Sequence, residues 1–223
     1  MRGELFYFTS GHVPDLAVAI IVSRYGTHTG IIHRAGGQLF LLDQRWHEDL
    51  GNAPCNGACP CVIPNLLPEE INDITGLCRL IATRREQNPR DPAPYALYRN
   101  PLTRISDVTG EILLSGGLGL TCSTFVLAVF EAARVPILDL TGWPRRPGDD
   151  DRHRSLVALM RSTQVPEDHV RRVEAELPCI RVRPEEVAAA GMADAMPANH
   201  GQAERGGRWI LEILTPGWAH ASI

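Results

Sequence analysis

THTGIIHRAGGQLFLLDQ, residues 27–44, places two apolar runs on either side of a glycine pair. Gly36 and Gly37 suit a tight turn, because short hairpin turns hold their central residues at positive φ, where glycine meets no steric cost. The flanking stretches 27–34 and 38–44 are rich in Ile, Thr, Leu and Phe and read as two antiparallel strands. LAVAIIVS, residues 16–23, is a β-branched apolar run and reads as a buried strand ahead of them. An antiparallel sheet is therefore expected early in the chain.

Working outward, APCNGACPCVIPN (53–65) reads as a loop from its Pro, Gly and Asn content. PEEINDITGLCRLIATRREQ (68–87) reads as a helix, with Pro68 and two glutamates in its first turn and arginines in its last. The four prolines of 88–101 exclude a helix there. Thr121 suits an N-cap, and the residues after it are apolar nearly all round until Glu131, which predicts a central, buried helix ending near Arg134. DDDRHRSLVALMRST and PEDHVRRVEAEL read as two amphipathic surface helices. CIRVR (179–183) reads as a short strand, 188–207 as a mobile small-residue stretch, and RWILEIL (208–214) as a last strand closing a sheet edge. The sum is α+β, in one domain over 1–223. Its core lies in 14–44 and 112–140, with an insertion at 45–110 and an extension at 150–223.

The chain has 223 residues, a net charge of −4 and no lysine. That charge points away from nucleic acid and anionic membrane surfaces. No apolar run approaches the ~18 residues of a membrane span, and MRGELFYFTSGH lacks the apolar segment of a signal peptide. A soluble, cytoplasmic protein is expected, with its six cysteines reduced.

One cysteine stands out. Cys122 opens the central helix directly after Gly116, Gly117 and Gly119. A thiol in a helix's first turn meets free N–H groups and the positive end of the helix dipole, which favour the nucleophilic thiolate. Its own N–H suits an oxyanion donor. Such a thiol needs a base. Of the eight histidines (12, 28, 33, 47, 153, 169, 200 and 220), His28 opens a strand and is followed by Thr29 and Gly30, where the missing side chain leaves room for another group. His33 lies on the opposite face and is expected to be solvated. A third polar residue would orient the imidazole, and the register decides which. A two-residue turn sets Gly30 opposite Asp43, diagonal to His28; a three-residue turn sets His28 opposite Gln44. A carboxylate also stabilises an imidazolium, which favours Asp43, with Gln44 and His47 as alternatives.

HTGIIHRAGGQLFLLDQ followed by TCSTFVLAVFEAARV resembles the circularly permuted NlpC-type papain-like proteins, including the lecithin retinol acyltransferase-like group. The resemblance covers 16–44 and 116–135. It implies a papain-like antiparallel sheet with a central Cys-bearing helix and further packed helices. It also implies Cys122 as nucleophile, His28 as base and Asp43 as third member. The activity implied is that of a cysteine peptidase, amidase or acyltransferase acting on a peptide, amide or acyl-ester bond through an acyl-enzyme, with no cofactor or metal. A catalytically silent module that binds a protein partner is the alternative.

Cys55, Cys59 and Cys61 lie close in sequence, but C-x3-C-x-C is not a structural-zinc spacing, and a loop of reduced thiols is the simpler reading. Asp149, Asp150 and Asp151 suit a helix N-terminus better than a cation site. Tyr95 and Tyr98 suit either a cleft wall or surface packing. Trp143 reads as a loop anchor, beside solvated Arg145 and Arg146.

Overall fold

The glycine pair closes a two-residue turn in this computed structural model, with Gly36 at φ 57° and Gly37 at φ 81°. Ala35 consequently lies opposite Gln38 and Ile31 opposite Leu42. The structure describes residues 5–7, 14–23, 26–55, 59–97 and 103–215. Within them lie β1 (Leu5–Tyr7), β2 (Leu16–Ser23), β3 (Gly26–Ala35), β4 (Gln38–Trp46), β5 (Asp49–Pro54) and β6 (Pro60–Val62). These form one six-stranded sheet in the order β1-β6-β2-β3-β4-β5, with every pairing antiparallel. A separate ribbon pairs β7 (Arg104–Ile105) with β8 (Ile112–Leu113). The helices are α1 (Pro68–Gln87), α2 (Cys122–Ala132), α3 (Asp149–Ser162), α4 (Glu167–Glu174), α5 (Pro184–Gly191) and α6 (His200–Leu214). The architecture is α+β.

Strand alternation sorts the sheet into two faces. Val18, Ile20, Ile31, Leu42 and Val62 point to one side and join Phe125, Val126, Val129 and Phe130 of α2 in the main core. α1 and α5 pack against the same sheet, and α6 packs on α5. Ala17, Ala19, Ile32, Leu39 and Cys61 form a smaller cluster on the other side, packed against Leu41, Cys55 and Cys59. Because α2 is apolar all round, it is buried from Cys122 to Phe130. Each fully buried phenylalanine there contributes roughly 1.5–3 kcal/mol. α3 and α4 make a second cluster, in which Met160, Val170 and Val173 pack with Ala96 and the partly buried Trp46 and Tyr95.

Several expectations for the C-terminal third are corrected. Residues 208–214 are not a strand but the second half of α6. Asn199 caps that helix, its side chain accepting from Gln202 N at 3.1 Å while Gln202 Oε1 accepts from Asn199 N at 2.9 Å. The buried positions Ala203, Gly206, Gly207 and Ile210 follow helical spacing, and Trp209 and Ile213 face outward. Nor is 188–207 a mobile linker: it holds the end of α5, with Ala188, Ala189 and Ala190 buried, and the start of α6. Residues 179–183 make no strand ladder. The Arg181 carbonyl instead accepts from Trp143 Nε1 at 3.2 Å and Arg146 Nη2 at 2.6 Å. The sheet edge expected to take a late strand is formed by β1 and β6. Part of the stretch expected as loop (53–65) belongs to β5 and β6.

Candidate active site

The two-residue turn carries Asp43 to the face of the sheet that holds His28. His28 Nε2 and Asp43 Oδ2 lie 2.7 Å apart. Gly30 makes this possible. A Cβ at Gly30 would stand 2.8 Å from the Cβ of Asp43, so the bare backbone lets the carboxylate approach. Gln44 faces the other way, and its Nε2 donates to the carbonyls of Trp46 and Ala93 at 2.6 and 2.8 Å. His47 points elsewhere too, its Nδ1 accepting from Tyr95 N at 3.4 Å. Of the three candidates, Asp43 alone is bonded to His28 among the described residues.

α2 brings the thiol to the same ring. Thr121 caps the helix, its hydroxyl accepting from Thr124 N at 3.1 Å, and fixes Cys122 as the first helical residue. The Cys122 sulfur lies within hydrogen-bonding reach of the His28 side chain, the Thr29 N–H and the Ser123 side chain. With Nε2 taken by Asp43, Nδ1 is the nitrogen left for the sulfur. The availability of Thr29 follows from the sheet. The β3–β4 ladder runs from Ala35↔Gln38 to Ile31↔Leu42 and stops there. Beyond it β4 offers Thr29 no ladder partner among the described residues, and its N–H turns to sulfur. The first N–H groups of an α-helix, here those of Cys122 and Ser123, have no helical acceptor.

The electrostatics follow from these contacts. Burial alone would raise the Cys122 thiol, but the His28 bond and charge, the Thr29 N–H and Ser123 more than offset it and hold the thiol below its ordinary value. Burial would likewise lower the His28 imidazole; the bond to Asp43, then that to Cys122, outweigh it and push His28 up to about 10. Both shifts favour the thiolate–imidazolium form of the pair.

A cleft of about 40 Å³ opens at the thiol, lined by Thr27, Tyr95, Cys122, Ser123, Arg152 and Arg181 among others. Cys122 itself is 6% exposed. Tyr95 is held there by two histidines, since its N–H meets His47 and its carbonyl accepts from His169 Nε2 at 2.8 Å. A larger cavity of about 620 Å³ runs along the C-terminal half of α2 past Ala128 and Trp143 and shares Val182 with the thiol cleft.

The remaining expectations sort plainly. His33 is not solvated: it is 1% exposed and its Nε2 bonds Asn52 Oδ1 at 2.9 Å. His153 bonds the Val173 carbonyl at 2.8 Å, and His200 packs edge-on against Trp143. His12, His220 and Tyr98 lie outside the described residues. Cys59 and Cys61 are pushed up by burial to about 12 and about 11, the opposite of Cys122. No three of His, Cys, Asp and Glu converge to hold a metal ion among the described residues. The acidic run is split: Asp149 is buried on Arg146, while Asp150 pairs Arg145. Arg145 and Arg146 are thus ion-paired rather than simply solvated. Trp143 is an anchor, 4% exposed. No helix among the described residues is long and apolar enough to cross a membrane.

Sequence reasoning did not single out Thr29, Ser123, Arg152 or Arg181. Only the fold, which joins distant segments around the sulfur, brings them in. No family model, curated protein or solved structure matches this chain.

Proposed function

We propose that this chain is a thiol-dependent hydrolase or acyltransferase of permuted papain-like type, with Cys122 as nucleophile, His28 as base and Asp43 as its orienting acid. The reading rests on one observation: the thiol at the head of α2 lies within reach of the ring of His28, whose Nε2 is 2.7 Å from the buried Asp43 carboxylate. The resemblance in 16–44 and 116–135 points the same way.

In the proposed reaction the thiolate attacks a peptide, amide or acyl-ester carbonyl and forms the C–S bond. The oxyanion is met by the N–H groups of Cys122 and Ser123. Nδ1–H of His28 protonates the leaving group as the C–N or C–O bond breaks. Neutral His28 then takes a proton from water or another acceptor, which attacks the thioester and releases Cys122 as thiolate. No step requires a cofactor.

The small opening at the thiol favours a second reading, a papain-like module that binds a partner without turnover. p-Nitrophenyl acetate separates the two. The enzyme reading expects acetyl on Cys122 by peptide mapping and steady release of nitrophenol. Cys122→Ala and His28→Ala should each abolish that release while thermal unfolding stays cooperative. Turnover by either variant at the wild-type rate would sink the assignment. A native Cys122 that takes no acetyl would favour the binding module.

A further inference from the structure

Two arginines line the thiol cleft from elements the proposed triad does not use. Arg152 comes from α3, and its Nη2 lies 3.6 Å from where a Cβ on Gly26 would stand, at the head of β3. Arg181 comes from the segment before α5, with its backbone pinned by Trp143 and Arg146. Both line the cleft together with Cys122 and Tyr95. Neighbouring arginines are taken by carboxylates: Arg145 by Asp150, Arg146 by Glu186 and Asp149, Arg183 by Asp149. Arg181 takes none among the described residues. The nearby acid Glu185 accepts from the Thr27 hydroxyl at 2.8 Å. The thiolate draws its support from His28, Thr29 and Ser123.

We propose that Arg152 and Arg181, with the Tyr95 hydroxyl, bind a carboxylate that the substrate carries next to its scissile carbonyl. The proposal rests on the thiol chemistry above and names its substrate class: an acyl compound with an adjacent carboxylate. Guanidinium forks match carboxylate geometry and need no proton exchange to do so. Tyr95 suits the role of donor. Burial holds its phenol protonated, and the phenol lies within electrostatic reach of Cys122, Arg181 and Arg152 at once. The cleft, about 40 Å³, has room for a small polar group beside the sulfur rather than for a bulky one.

Iodoacetate and iodoacetamide test this directly, since they present the same reacting carbon with and without a carboxylate. The rate of each at Cys122 is followed by peptide mapping of the native full-length chain. Relative to the denatured chain, native Cys122 should favour iodoacetate, and R152Q with R181Q should lower the iodoacetate-to-iodoacetamide ratio about tenfold or more. Added acetate should slow iodoacetate in the wild type. A native ratio equal to the denatured one, or one unmoved by R181Q, overturns the proposal. So does a fall in both rates together, which would assign the arginines to the thiolate. If the variants do not fold, the wild type decides: raising salt to about 1 M, where screening reaches ~3 Å, should slow iodoacetate selectively, and a flat response overturns the proposal. Failure of the enzyme reading is seen separately, as native Cys122 that resists iodoacetamide.

Discussion

Replacing Asp43 by Asn keeps the shape of the side chain beside His28 and removes its charge. The wild-type ring is held up at about 10 by that carboxylate and by Cys122, against the pull of burial. A hydrogen bond to a charged group contributes roughly 1.5–3 kcal/mol. At ~1.36 kcal/mol per pH unit this is roughly one to two units, so His28 in Asp43→Asn should titrate near pH 8–9. The ring C–H resonance of His28, assigned by its loss in His28→Ala and followed by NMR from about pH 5 to 11, reads this midpoint. Iodoacetamide labelling of Cys122 should change far less at low pH, because His28 is charged there in both proteins. Stability carries the same signature. A raised imidazole contributes stability that is fully present below its unfolded value of 6.5 and lost as pH climbs through about 10. In Asp43→Asn that loss is complete at lower pH. A His28 midpoint that does not move would refute the reasoning and detach Asp43 from the site.

Gly119 sits at φ +148°, and a Cβ there would stand 2.2 Å from the Pro94 carbonyl oxygen, which also accepts from Leu120 N at 3.1 Å. Gly119→Ala must push the Pro94–Tyr95 backbone off the head of α2, costing more than ~1 kcal/mol. Thermal unfolding should fall, and Cys122 should become more open to iodoacetamide. Burial lowers His33, so it is neutral in the fold and its stability contribution is lost as pH falls below 6.5. His33→Gln should flatten the loss of melting temperature between about pH 6.5 and 4.

The sheet core and α2 were legible because their residues depend on local rules. Gly36–Gly37 dictates its turn, the turn dictates the register, and the register sets Asp43 against His28. Thr121 and Pro68 announce their helices just as openly. The C-terminal third was misread because its signals are short. RWILEIL resembles a strand over seven residues, and only across 200–214 does the helical spacing of Ala203, Gly206, Gly207 and Ile210 emerge. Ala188–Ala190 look like linker by composition, yet small residues are what a helix wedged against β2 and β3 requires. β6 escaped notice because three residues carry no periodicity, and its strand character comes from β1 and β2 on either side. His33 was misplaced because Asn52, its partner on β5, lies beyond the hairpin from which its facing was read.

The end of the β3–β4 ladder has a consequence for the young chain. His28 and Thr29 leave the ribosome well before Cys122, and neither can act on the sulfur until α2 has docked against the sheet. Until then the thiol keeps its ordinary value near 9 and is protonated at neutral pH. The lowered thiol is thus conferred by a single assembly event rather than by the cysteine itself. Because docking lowers the thiol, a larger share of Cys122 is thiolate in molecules where that event has occurred than in nascent or misfolded chains, and alkylation at a fixed pH should distinguish the two.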